Sequence, residues 1–324
     1  MDNEKVKKLV GTGIVAAGIT AVGAVSHAVT KELVKIAVDR DYSHKVPSRT
    51  KAQFKGSEDN VAFTTAVKEA AAELESRDKV TVEIMAADGE RLVGHWFSCE
   101  NAKRIVIAMH GWRASWSSNF GLIADFFHDN GCSVLYVEQR GQGNSGGDSM
   151  GLGALERLDC LDWIDWVIAT VGPEIPIYLT GVSMGASTVL MATGLDLPDS
   201  VHGIIADCGF TSPHEISKHI VENNLHISFG HRGDVADEIC RKKNQVGIKA
   251  CSAVDALRDN EIPVLFIHGA NDHFVPVEMT YENFEACEAP KELLIVPGAD
   301  HAMSYYVDRQ RYESYVMDFW RKYD

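Results

Sequence analysis

From Lys79 onward, short apolar runs alternate with helix-length segments, and no other feature of the chain constrains its fold as tightly. The runs are Val80–Met85, Leu92–Phe97, Ile105–Met109, Ser133–Val137, Ile175–Leu179, Gly203–Ala206, Val264–Ile267 and Glu292–Val296. Helix-length segments fall at about 118–129, 155–170, 184–194, 277–287 and 305–322. Strands alternating with helices predict a mostly parallel sheet covered on both faces. The first two runs are joined by Ala87-Asp88-Gly89, a turn signal that makes them an antiparallel hairpin. The expected fold class is therefore α/β, a mostly parallel eight-stranded sheet with an antiparallel start. About fifty residues separate Ala206 from Val264, too many for a plain crossover, so an insertion at about 210–260 is expected. It opens on Ser212-Pro-His-Glu215, a capping box with proline at the first helical position, which reads as a short helical lid. His214, His219, His226 and His231 within it have no compact metal-ligand spacing and read as solvent-facing.

Two stretches fit the pattern G-x-S-x-G: Gly181-Val-Ser-Met-Gly185 and Gly143-Asn-Ser-Gly-Gly147. The chemistry needs a strand that turns sharply into a helix and lifts the serine above the sheet edge. Ser183 follows the apolar run ending at Leu179 and precedes a small-residue helical stretch. Ser145 sits in a glycine-rich loop with no helix directly after it. Ser183 is the expected nucleophile, and Ser145 is a loop residue.

A serine needs a base and an acid that orients the base. The strand at Val264 runs into a loop carrying Asp272, and the strand at Glu292 runs into a loop carrying His301. Both follow Ser183 in the chain order this architecture requires, and both fall just past strand C-termini. The expected triad is Ser183, Asp272 and His301. Asp207 is a rival acid with a less marked loop. Asp300, adjacent to His301, is assigned to capping. Oxyanion donors are expected from the backbone N–H groups of Trp112, in the loop after the third strand, and Met184. His110 is expected to brace that loop, while Arg113 and Trp116 either touch substrate or cover the site. Cys208, beside Asp207, reads as a buried, inert thiol.

These residues resemble the α/β-hydrolase superfamily from roughly Val80 to the C-terminus. The matching stretches are His110-Gly111-Trp112, Glu138-Gln-Arg-Gly-Gln-Gly-Asn-Ser145, Gly181-Val-Ser-Met-Gly185, Asp272 and His301. More narrowly, Phe266-Ile-His-Gly-Ala-Asn-Asp272 and Asp300-His-Ala-Met-Ser-Tyr305 are similar to a bacterial group of membrane-anchored serine hydrolases. That group has relatives among cinnamoyl esterases and prolyl-oligopeptidase-like enzymes. The resemblance implies an acyl-enzyme mechanism without a cofactor or a metal. Glu138 departs from the Asp common at its position and is expected to shape its loop.

Upstream, Leu9–Val29 carries no charged residue and is long enough to cross a bilayer as a helix. The first reading of residues 1–30 is a membrane anchor with a single pass, its orientation unreadable because lysines flank both ends. A signal segment cleaved near Ser26-His27-Ala28, giving a secreted protein, is the alternative, followed by an amphipathic or packed Ala/Gly helix. Residues 31–78 read as a helical connector without a site, and 79–324 as the hydrolase domain.

The composition narrows the partners. A formal net charge of −15 argues against a nucleic-acid face. Seven scattered cysteines without CxxC spacing argue against a disulfide framework. The expected activity is hydrolysis of a carboxylic ester of modest size, the partner being a small-molecule acyl substrate. A peptidase or amidase, an acyltransferase with the same triad, and a binding protein on the same fold are the alternatives. Oligomeric state is not encoded in these patterns.

Overall fold

A computed structural model describes residues 26–44 and 61–324. Eight strands form one sheet in the order β1-β2-β4-β3-β5-β6-β7-β8. They are β1 (Val80–Met85), β2 (Arg91–Phe97), β3 (Arg104–Met109), β4 (Cys132–Glu138), β5 (Ile177–Val182), β6 (Val201–Asp207), β7 (Val264–Gly269) and β8 (Lys291–Val296). Only β2 runs against the rest, pairing antiparallel with both β1 and β4. This is the expected parallel sheet with an antiparallel start. The helices are α1 (residues 26–38), α2 (Val61–Ser76), α3 (Trp116–Phe120), α4 (Ala124–Asp129), α5 (Glu156–Val171) and α6 (Met184–Ala192). They continue with α7 (Pro213–His219), α8 (Arg232–Asn244), α9 (Ala253–Arg258), α10 (Val277–Ala286), α11 (Ser304–Val307) and α12 (Arg309–Tyr323).

The central strands β3, β4 and β5 are buried at every position and mostly apolar because both faces are covered. Val106, Ala108, Val134, Tyr136, Leu265 and Ile267 face one core, which α3, α4 and α12 cover. The alternate residues Ile105, Ile107, Leu135, Val137, Val264 and Phe266 face the other, which α5, α6 and α9 cover. A third cluster lies beyond the strand C-termini, where Val34 and Val38 of α1 meet Phe210, Ile216 and Phe229 of the insertion.

Two helical stretches are shorter than their apolar spacing suggests. The expected helix at 118–129 breaks at Gly121, where a Cβ would lie 2.7 Å from the Ala70 backbone, so α2 packs directly on the break. The last helix breaks at Asp308, whose side chain accepts from the Arg311 N–H and caps α12. The insertion is helical, as expected, and holds α7, a π-turn at Ile220–Asn224, α8 and α9. All seven cysteines are free of disulfides.

The localisation expected from the N-terminal stretch needs correction. No helix among the described residues is long and apolar enough to cross a membrane. Residues 1–25 lie outside the described residues, so most of the Leu9–Val29 stretch does as well. Its described end, Ser26–Val29, opens α1, which is two-faced. Thr30, Val34 and Val38 are buried at a spacing of four, and Lys31 and Glu32 are exposed. The buried face is spent on the domain, and the polar face would not suit a lipid interior.

Candidate active site

Ser183 stands between β5 and α6 with φ 57° and ψ −118°, a left-handed backbone that L-residues rarely adopt. The turn closes only because its neighbours lack side chains. A Cβ on Gly181 would meet the Gly185 backbone at 2.2 Å, and one on Gly185 would lie 1.8 Å from the Met109 carbonyl oxygen. Gly185→Ala is therefore expected to destabilise the fold by about 4 kcal/mol, since only backbone movement relieves the overlap. Denaturant unfolding measures this, and a loss under about 1 kcal/mol would contradict the packing described.

The strand ends bring the three expected side chains together. Ser183 Oγ lies 3.0 Å from His301 Nε2 and donates to it when the imidazole is neutral. His301 Nδ1 donates to Asp272 Oδ2 at 2.7 Å. The other oxygen, Asp272 Oδ1, accepts from the Phe274 and Val275 N–H groups, each at 2.8 Å. Burial favours the neutral Asp272 carboxyl. The His301 charge and the hydrogen bonds from His268 and His301 outweigh it, holding the group well below the usual carboxylate range. Burial also disfavours the His301 cation, yet the adjacent Asp272 charge prevails and raises His301 well above 6.5.

His268 was missed as a contributor because it belongs to the buried part of β7. Its Nε2 lies 3.0 Å from the Val275 carbonyl and 3.2 Å from Asp272 Oδ2, and its Nδ1 accepts from Thr280 at 2.6 Å. It thus approaches Asp272 Oδ2, the same oxygen that accepts from His301. The signal in the sequence is a histidine four residues before the acid, at a strand end.

The rival acids do other work. Asp207 accepts from Ser304 at 3.1 Å, and burial raises its carboxyl to about 6. Asp300 accepts from the His273 and His301 N–H groups, tying the two loops together as the capping assignment anticipates. Ser145 is buried in its loop, accepting from Val93 N–H and donating to the Glu138 carbonyl. Glu138 shapes that loop by bonding His95 at 2.6 Å and Asn144 at 3.0 Å.

The loop after β3 lies against the same serine. His110 donates from Nδ1 to the Gly111 carbonyl at 2.8 Å and accepts the Gln139 N–H at Nε2. Burial lowers its pKa to about 4, which keeps it neutral and suits it to bracing the loop. The Gly111 N–H is committed to Asn119 at 2.7 Å, leaving Trp112 as the next main-chain position. Trp116 lies in the core, stacked on His95 at 4.3 Å. Arg113, partly buried, reaches the end of α1. Neither lines the cavity beside Ser183.

Among the described residues, one grouping has metal-ligand composition: Cys208, Asp272 and His301. Asp272 and His301 are already committed to each other, and burial pushes the Cys208 thiol up to about 11. His214 and His219 of the insertion pair instead with Glu215 and Asn223.

The chain has relatives in sequence and in fold. Residues 100–231 match the family model described as serine aminopeptidase, S33. The uncharacterized protein YqkD of Bacillus subtilis is 27% identical over 245 residues, covering 76% of this chain and 80% of that protein. YfhR of Escherichia coli K12, also uncharacterized, is 25% identical over 247 residues, covering 74% and 79%. Among solved structures, the Pyrococcus furiosus esterase Pf2001 superimposes with a TM-score of 0.63 at 21% identity, covering 78% of this chain and 93% of that one. The chain has the α/β-hydrolase fold. Est1E from Butyrivibrio proteoclasticus, solved with ferulic acid bound, shares the fold with a TM-score of 0.59 at 17% identity, covering 75% and 98%. Within this fold, Ser183, Asp272 and His301 fall after β5, β7 and β8, on the rim where strand C-termini open.

Proposed function

We propose that the protein is a serine hydrolase that cleaves a carboxylic ester of modest size through an acyl-enzyme. The observation that carries this reading is the unbroken chain from Ser183 Oγ through His301 to Asp272, with Ser183 at the edge of an apolar cavity. The family match and the esterase neighbours support a hydrolase on this fold.

His301 Nε2 takes the Ser183 proton as Oγ attacks the ester carbonyl. The carbonyl π electrons move to oxygen, where the Trp112 and Met184 N–H groups stabilise the anion, typically by about 3–4 kcal/mol per donor. Collapse breaks the bond to the alkoxy oxygen, and the His301 imidazolium protonates the departing alcohol. Water then attacks the acyl-enzyme with His301 again as base, which releases the acid and restores Ser183. Asp272 fixes the tautomer of His301 and stabilises the imidazolium each time it forms.

A second reading, peptidase or amidase, is favoured by the description of the matched family model. The same groups would serve, with an amine as the protonated leaving group. Matched 4-nitrophenyl esters and 4-nitroanilides of the same acids separate the two. The ester reading expects turnover confined to the esters, and faster cleavage of anilides would replace it with the second.

The charge balance at His301 sets a pH dependence. Only neutral His301 accepts the serine proton, so kcat/KM falls as pH drops through its pKa. Because Asp272 raises that value, the midpoint of the acid limb is expected above 6.5. A profile of log kcat/KM against pH measures it, and a midpoint below 6.5 would contradict the described pairing.

A further inference from the structure

The cavity beside Ser183 spans about 950 Å³ of empty space, the open solvent at its mouth included. Its wall is assembled from segments far apart in the chain: Val34 and Val38 of α1, Trp112, Ile216, Phe229 and Phe274. What little polar lining it has is mostly turned away. The Thr30 hydroxyl donates to the Ser26 carbonyl at 2.9 Å, and the Ser217 hydroxyl to the Pro213 carbonyl at 2.6 Å. Arg232 gives Nη1 to the Ser228 carbonyl at 2.6 Å, while its Nε is buried without a hydrogen-bond partner. Away from Arg232, a hydroxylated or charged acyl group would lose its water here and find few partners. A straight methylene chain would lose nothing but water contact.

One wall is fixed in an unusual way. The last carbonyls of a helix lack partners within it, and here the loop after β3 supplies them. Arg113 donates to the Ile36 carbonyl at 2.8 Å and the Asp39 carbonyl at 2.7 Å. The Trp112 indole N–H donates to the Ala37 carbonyl at 2.7 Å. The guanidinium also places a cation at the negative end of α1. The residue proposed to stabilise the oxyanion and its neighbour thus hold α1 against the cavity.

We propose that α1 is a working wall of the acyl site, closing a cleft into an apolar slot for a straight-chain aliphatic acyl group. Val34 and Val38 set the length of chain the slot accepts. This assignment rests on the serine-hydrolase reading of Ser183 and narrows its substrate class to esters of unbranched fatty acids.

Two experiments on the full chain test it, one by turnover and one by binding. In the first, kcat/KM is measured for 4-nitrophenyl esters from acetyl to dodecanoyl. Each added methylene is expected to raise it about fourfold until the slot is full. Val38→Trp shortens the optimal chain and lowers the decanoyl-to-acetyl ratio by about tenfold or more, and Val34→Ala moves the optimum to longer chains. Val34→Ala is the milder change and keeps the test usable if Val38→Trp does not fold, which its thermal unfolding transition reports. In the second, calorimetry follows butanoate to dodecanoate binding to the Ser183→Ala protein, with and without Val38→Trp. Affinity is expected to rise about fourfold per methylene and to drop at least tenfold for decanoate when Trp fills the slot. A chain-length profile that is flat, or that neither substitution shifts, overturns the wall while acetyl-ester turnover leaves the hydrolase intact. Absence of turnover with every ester, alongside length-dependent binding, overturns the hydrolase reading and leaves the slot. Tighter binding of decanedioate than of decanoate overturns the aliphatic assignment.

Discussion

Ser183→Ala is expected to lower kcat/KM for a carboxylic ester by on the order of 10⁶-fold, the largest effect of any single substitution in this chain. Alanine removes the hydroxyl that lies 3.0 Å from His301 Nε2 and would carry the acyl group, while the turn itself survives. Its backbone contacts, the Ser183 N–H to the Asp207 carbonyl and the Ser187 N–H to the Ser183 carbonyl, do not involve the side chain. Folding and cavity should therefore persist, and circular dichroism with thermal unfolding checks that they do. Residual activity within a hundredfold of the parent would mean that another group attacks the substrate.

Asp272→Asn is expected to lower kcat by on the order of 10⁴-fold. The reason lies in which atoms each oxygen of Asp272 meets. The N–H groups of Phe274 and Val275 point at Oδ1, so an asparagine must keep its carbonyl oxygen there. Its amide then faces His301 Nδ1 and donates a hydrogen where the carboxylate accepts one. The imidazole is driven to the other tautomer, with its hydrogen on Nε2, and can no longer take the serine proton. His268 Nε2 meets the same amide, so the substitution also sets one donor against another. With the Asp272 charge gone, the acid limb of any remaining activity shifts to lower pH. Steady-state kinetics across pH measures both effects, and a loss below tenfold would show that Asp272 does not orient the base.

Both substitutions act on residues that the sequence makes easy to find, for a physical reason. Ser183, Asp272 and His301 each follow an apolar run, and a strand end is a local pattern. Gly181 and Gly185 mark the tight turn because any side chain there would collide with backbone. The sheet was equally readable, since the near-continuous apolar runs within β3, β4 and β5 imply burial on both faces. What escaped depends on contacts between distant segments. The break at Gly121 is set by the Ala70 backbone some fifty positions away, roughly the scale of a supersecondary unit. His268 looks like any buried strand residue until the Asp272 loop folds back over it.

The N-terminal region holds the largest correction, and composition explains it. A stretch rich in glycine and alanine without charges satisfies the length rule for a membrane helix. At its described end, however, the chain continues as α1, whose apolar face is narrow and answered by the domain. The connector assigned no site in fact contributes Val34 and Val38 to the cavity wall. Periodicity alone shows that such a helix has two faces, not which surface its apolar face will meet.

The central claim is that Ser183 is an activated nucleophile. Labelling the folded full-length protein with a fluorophosphonate, then locating the adduct by peptide mass spectrometry, tests it most directly. The account predicts one adduct, on Ser183, that disappears in Ser183→Ala and forms more slowly as pH falls through the His301 pKa. An adduct on Ser145, or a Ser183 that stays unmodified while the protein is folded, would contradict it.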